Sequence, residues 1–119
     1  MAKEYENSME LLQFAESKAL YKKLVHQLKK DFTLANVDFN PSEEIGPSSL
    51  KELLQEKIYF LLLERFSDYL NLLYIVDVPE KAFSSLDATD VVEVAEGACY
   101  LILRREWQKV WLKHSFGSK

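Results

Sequence analysis

The chain has 119 residues, a length typical of one domain, and its 15 Lys and Arg against 19 Asp and Glu give a formal charge of −4. Hydrophobic residues make up 48% and charged residues 29%, a balance that excludes wholesale disorder. With only three glycines and three prolines, the chain is too poor in turn residues for a β-sandwich, a collagen-like repeat or a low-complexity linker.

The first predicted helix runs from Lys3 or Ser8 to Phe32. Apolar side chains recur through it at helical spacing and share one face, while several lysines and His26 lie mostly on the opposite face. This spacing is typical of an amphipathic helix with one buried side. The apolar set is Leu11, Phe14, Tyr21, Val25, Leu28 and Phe32.

An irregular connector follows the first helix and ends at Asn40-Pro41. We expect the connector to pack onto the helices because it is rich in apolar residues. Asn40 is predicted to cap a short helical turn that opens with Pro41. The apolar residues of the connector are Phe32, Leu34, Val37 and Phe39.

The second predicted helix begins at Ser49, which has the spacing of a capping box with Glu52, and continues to about Val76. Between Ile58 and Val76, 14 of 19 positions are apolar. A helix with so narrow a polar strip is either the central element of the fold or part of an association surface.

The third predicted helix begins within 87–90, where Asp or Thr would cap it, and runs to about His114. Before it, Pro79 ends the second helix and opens a short helical turn through Leu86. No segment alternates with the period of two that strands require. We therefore predict an all-α fold: one domain over 1–119, a bundle of three long helices plus one or two short helical turns.

The single cysteine, Cys99, cannot form an internal disulfide, whereas small secreted domains more often carry an even set. We expect no signal peptide, because residues 1–7 are polar. The longest apolar runs, 58–63 and 98–103, are far shorter than the roughly 20 residues that cross a bilayer. These features predict a cytoplasmic protein without a transmembrane segment.

Only three residues are candidates for the nucleophile or the base of nucleophilic catalysis: Cys99, His26 and His114. Cys99 lies on an apolar helix face, which favours an inert core cysteine, and both histidines are predicted to be solvated. No Glu-x-x-His, Cys-x-x-Cys or glycine-rich phosphate loop occurs. We therefore assign no catalytic residue, no metal ligand and no cofactor.

Arg65 falls on the apolar face of the second predicted helix. An unpaired buried guanidinium is costly, so we predict a buried ion pair with Glu106 or Glu93, or a side chain that reaches solvent along its own stem. A third alternative is a functional role for Arg65. The protein would then be a small enzyme or a bundle that binds an apolar ligand, with its site around Arg65.

Four basic residues form a candidate basic patch near the end of the third helix: Arg104, Arg105, Lys109 and Lys113. Trp107 and Trp111 interleave with them, and such a combination can bind nucleic acid or an anionic surface. The favoured alternative is that the tryptophans belong to the core and the basic groups complement the negative end of the helix. The acidity of the remaining chain also argues against nucleic acid as a partner.

Phe60, Leu63 and Tyr74 point away from the main apolar face of the second helix. One partner layer in a bundle of three long helices would not cover them. We therefore predict an interface through which two copies form a C₂ homodimer. The alternative is that the connector covers this side within one chain.

The segment Leu72–Glu80, together with Leu103–Val110, resembles small, functionally uncharacterised helical proteins of bacteria. This resemblance covers roughly the second half of the chain. It implies a helical fold and a bacterial origin, and it implies no activity and no functional residue.

These observations together favour a non-catalytic helical interaction or scaffolding domain that associates with itself or with another protein. The two alternatives are the enzyme or ligand-binding bundle around Arg65 and weak nucleic-acid or anionic-surface binding through the basic end of the third helix.

Overall fold

The computed structural model describes residues 7–84, 86 and 90–117. Most of these residues are helical and none of them is in a strand, which confirms the all-α class. The predicted number of helices is wrong, because two of the three long helices are interrupted and the described residues form six α-helices. They are α1 (Ser8–Ser17), α2 (Tyr21–Leu34), α3 (Pro47–Glu64), α4 (Phe66–Val76), α5 (Glu80–Ser84) and α6 (Val91–Leu112), and a π-helical turn (Lys113–Gly117) extends α6.

The first predicted helix is divided at Ala19, which has a left-handed φ of 59°. The amide of Leu20 donates to the Ala15 carbonyl at 2.9 Å and the amide of Ala19 to the Glu16 carbonyl at 3.0 Å, the pattern of a Schellman helix end. Alanine is the best helix former and glycine the usual residue at this position, so the sequence does not signal the break.

The same helix end recurs after α2 and α4, again without glycine. Asn36 (φ 61°) ends α2 and Asp77 (φ 74°) ends α4. In each case the next residue donates its amide five residues back, Val37 to Phe32 at 2.9 Å and Val78 to Leu73 at 3.0 Å. Both valines are buried, so each helix end is also held by an apolar contact.

The second predicted helix is divided at Arg65, whose φ of −143° and ψ of 59° are not helical. It begins at Pro47 after Gly46, rather than at the predicted capping box of Ser49. Proline suits the first helical position, because the N–H that it lacks would have no partner there.

The connector packs onto the helices, as predicted, because Val37 and Phe39 are buried and the rings of Phe32 and Phe39 lie 4.5 Å apart. Leu34 is the exception and is exposed. The predicted helical turn from Pro41 does not form. A simple turn stands there instead, in which the Ser42 hydroxyl accepts the amide of Glu44 at 3.0 Å.

α6 is the central helix and packs against each of the other five. Its cap is Asp90, which accepts the amide of Val92 at 2.9 Å and which the sequence had placed in the first turn of the helix; the predicted caps, Asp87 and Thr89, lie outside the described residues. None of the described helices combines the length and the hydropathy that a membrane-spanning segment requires. The buried α6 residues recur every three or four positions and build the core: Ala95, Ala98, Cys99, Ile102, Leu103, Trp107 and Val110.

Candidate functional site

Most of the exposed apolar side chains lie on two consecutive helices. Of eleven large hydrophobic residues that are exposed among the described ones, seven belong to α3 and α4. We name these seven the α3–α4 apolar face: Leu53, Tyr59, Phe60, Leu63, Phe66, Leu70 and Tyr74. The three residues predicted as an interface are among them, with exposed fractions of 47% for Phe60, 52% for Leu63 and 78% for Tyr74.

The helical repeat explains why these side chains are left outside. Residues Leu50, Leu54, Ile58 and Leu61 occupy the inner face of α3, where α6 and α1 cover them. The connector lies beside Phe60 and lines a groove with it, yet almost half of Phe60 stays exposed. The connector therefore does not cover the α3–α4 apolar face within one chain.

The predicted ion pair between Arg65 and Glu106 does not form. Arg65 sits at the break between α3 and α4, its side chain is 62% exposed, and its Nη2 lies 2.9 Å from Oδ2 of Asp68. The prediction assumed one continuous helix from Ser49 to Val76. Because the helix is interrupted at Arg65, the Arg65 side chain does not point into the core. The Arg65 side chain is exposed to solvent at this break instead.

A groove of about 500 Å³ surrounds Arg65, between the connector and the break. Two cations, Lys57 and Arg65, and two acidic residues, Asp38 and Asp68, line the groove, so its charges are balanced. Neither cysteine nor histidine lines it, and nucleophilic catalysis by those groups needs such a side chain beside a base. The enzyme alternative gains no support from this groove.

Glu106 is fully buried and meets a different cation. Lys109 Nζ lies 3.2 Å from Glu106 Oε1 and 2.6 Å from Oδ2 of Asp31, which is also buried. Gln27 donates to the same Asp31 oxygen at 3.2 Å. This group joins α2 to α6, and we call Gln27, Asp31, Glu106 and Lys109 the buried polar cluster.

The pKa values of the two carboxyl groups in the buried polar cluster shift in opposite directions. Burial, followed by the neighbouring Asp31, raises the pKa of Glu106 to about 9. Burial also acts to raise the pKa of Asp31, but hydrogen bonding with Glu106, Lys109 and Gln27 outweighs it, so that pKa is lowered. Hydrogen bonding between the two carboxyl groups raises the pKa of Glu106 and lowers the pKa of Asp31, as expected for a protonated Glu106 that donates to Asp31.

Sequence reasoning identified Glu106 as a buried acid but missed Asp31. One signal was readable: the Glu106–Lys109 spacing of three residues on a helix. The approach of Asp31 to Lys109 joins residues 78 positions apart, and helical periodicity carries no information at that distance.

The fold disperses the predicted basic patch. Arg105 donates from Nη2 to Asp77 Oδ2 at 2.9 Å and from Nε to the Asp77 carbonyl at 3.0 Å. Lys109 turns inward to the buried polar cluster, and Arg104 is exposed. Two of the four cations are thus engaged by carboxylates of the same chain.

A second set of cations, which the sequence did not group, converges between α2 and the end of α6. They line a groove of about 510 Å³ that we call the α2–α6 groove. Lys113 donates to Gln27 Oε1 at 3.3 Å across it. The lining residues are Lys23, His26, Gln27, Lys30, Val110, Lys113 and His114.

Cys99 is fully buried, and burial raises the pKa of its thiol to about 12. A thiol with so high a pKa stays protonated and is a poor nucleophile. Both histidines are exposed, as predicted. Within the part of the chain that the structure describes, no three His, Cys, Asp or Glu residues gather as metal ligands would.

Comparisons with models of known protein families, with curated proteins and with solved structures give no match to this chain. The resemblance to small helical proteins of bacteria therefore stays a prediction.

Proposed function

We propose that this chain is a non-catalytic protein-interaction module that forms a homodimer through the α3–α4 apolar face. The observation that carries the proposal is the placement of seven of the eleven exposed large hydrophobic residues on two consecutive helices. Single exposed apolar residues are normal in monomers, whereas a concentration of them is typical of a protein–protein interface. Cys99 is buried and forms no disulfide, so the fold does not depend on an oxidising compartment. We therefore propose that the protein is cytoplasmic.

The charges beside the apolar side chains favour a second copy as the partner. Lys57 lies three residues before Phe60, and Glu64 lies four residues after it. Two copies of α3 that pair antiparallel about a two-fold axis near Phe60 would bring Lys57 of each copy next to Glu64 of the other. An isologous interface repeats each such contact twice, which makes the face complementary to itself.

Light scattering with size-exclusion chromatography tests the proposal. The unmodified chain should elute at micromolar concentration with twice the mass of one chain. Phe60→Glu places a charge in the centre of the apolar face, so we expect that variant to elute with the mass of one chain. Leu34→Glu is the matched control, because Leu34 is 62% exposed and lies on α2, outside the face.

Circular dichroism of each variant should show unchanged helix content, since both substituted side chains are exposed. A dimer that survives Phe60→Glu, or that Leu34→Glu disrupts equally, would contradict this interface. An unmodified chain with the mass of one chain would contradict the homodimer itself.

A further inference from the structure

The net charge of −4 conceals a division of charge between two parts of the chain. α2 and residues 104–117 hold eight Lys and Arg against Asp31 and Glu106, whereas the rest holds seven against seventeen acidic residues. Because α2 packs against α6, folding brings the two segments together. Asp77 engages Arg105 and Asp31 engages Lys109, so the cations that remain beside one another are Lys23, Lys30 and Lys113. A concentrated positive region raises the local concentration of anions, even on an acidic protein.

The α2–α6 groove is the place where these cations converge. Lys23, His26 and Lys30 reach it from α2, and Lys113 and His114 reach it from the end of α6. No Asp or Glu is among the lining residues. Glu43 approaches from outside, with Oε1 at 3.9 Å from Nε2 of His26 and Oε2 at 3.6 Å from Nζ of Lys29. The lysines of the groove therefore repel each other without an internal counterion in the groove.

The floor of the groove is held by the buried polar cluster. Gln27 is only 8% exposed, its amide nitrogen donates to Asp31, and its amide oxygen accepts from Lys113. Asp31 is in turn fixed by Lys109 at 2.6 Å. The position of Lys113 is thus set by a chain of hydrogen bonds that begins inside the protein, and a preorganised cation binds an anion at a lower entropic cost.

The size and chemistry of the groove indicate which anion fits. A volume of about 510 Å³ suits a small molecule, and several lysines around it suit phosphate groups, which lysine binds as a point charge. Nucleic acid fits less well, because Trp107 is buried with Trp111 packed 5.8 Å from it, so neither ring stands free for base stacking. We propose that the α2–α6 groove binds a small anion that carries two or more phosphate groups.

Isothermal titration with inorganic tripolyphosphate at low ionic strength tests this site. The unmodified chain should bind one tripolyphosphate per chain, and Lys23→Gln/Lys30→Gln should weaken the affinity by at least about tenfold. The matched control is Lys22→Gln/Lys81→Gln, which removes the same charge from two exposed lysines outside the groove. We expect that control to change the affinity by less than about threefold.

The two histidines allow the site to be located directly, since the chain has no others. The imidazole NMR signals of His26 and His114 should both shift during the titration and saturate with it. Absence of saturable binding, equal weakening by the two double variants, or unmoved imidazole signals would overturn the proposal. The proposal would also be overturned if a single-stranded oligonucleotide bound more tightly than tripolyphosphate and both double variants weakened that oligonucleotide binding equally.

Discussion

Glu106 is fully buried on α6, and this burial, together with the neighbouring Asp31, determines its protonation. Its pKa near 9 means that the folded chain holds a proton there at neutral pH, which an exposed glutamate would have lost. That proton removes one negative charge beside Asp31, so Lys109 has a single full carboxylate to neutralise. The sequence indicated Glu106 only as a candidate partner of a buried Arg65, and the structure buries it beside Lys109 instead.

The pH dependence of stability should reveal this proton. Between the ordinary glutamate value of 4.5 and about 9, the folded chain binds one more proton than the unfolded chain, so the free energy of unfolding falls as the pH rises. Glu106→Gln removes this dependence. From pH 6 to pH 8 the unmodified chain should lose about 3 kcal/mol more than the variant does.

Urea unfolding of both proteins at the two pH values measures this difference. All other groups are common to both proteins, so their contributions cancel in the comparison. The lowered pKa of Asp31 makes its own contribution constant above its ordinary value of 3.8, so it adds no slope in this interval. Parallel pH profiles for the two proteins would show that Glu106 ionises normally in the fold.

At the scale of the helix, three ends share one motif and differ in how far the sequence reveals them. Asn36 and Asp77 tolerate left-handed angles, and each precedes a valine that becomes buried, so both ends were readable in principle. Ala19 and Arg65 carry no such signal. Apolar spacing continues across both positions, because the helices on either side bury their faces in the same core.

The left-handed Ala19 gives a prediction at this scale. Ala19 is exposed, so Ala19→Gly loses no packing and relieves the steric cost of its φ of 59°. Glycine also raises the conformational entropy of the unfolded chain, which offsets part of this gain. The free energy of unfolding should therefore rise by about 0.5 kcal/mol. Gln13→Gly, at an exposed position inside α1, should instead lose about 1 kcal/mol.

Thermal or urea unfolding of the two glycine variants measures both changes. If Ala19→Gly destabilised the chain as much as Gln13→Gly, α1 and α2 would form one continuous helix, as the sequence alone predicted.

At the scale of the whole molecule, two surfaces stand out and differ in how they arise. The α3–α4 apolar face is a local feature, and its members Phe60, Leu63 and Tyr74 were identified from helical spacing alone. The α2–α6 groove is a product of the fold, because Gln27 and Lys113 are 86 positions apart. Sequence periodicity predicts which face of a helix is apolar, but it does not predict which distant helices meet.

Self-association through the α3–α4 apolar face is tested most directly by sedimentation equilibrium. The experiment compares the unmodified chain with a single charge-reversal variant and with a double variant that restores the charge pair. The unmodified chain should have the mass of two chains at micromolar concentration. Lys57→Glu should shift the equilibrium toward one chain, because it would face Glu64 of the partner subunit, and Lys57→Glu/Glu64→Lys should restore the dimer. A mass of one chain for the unmodified protein at every concentration would contradict the homodimer, and a double variant no better than Lys57→Glu would contradict the antiparallel pairing.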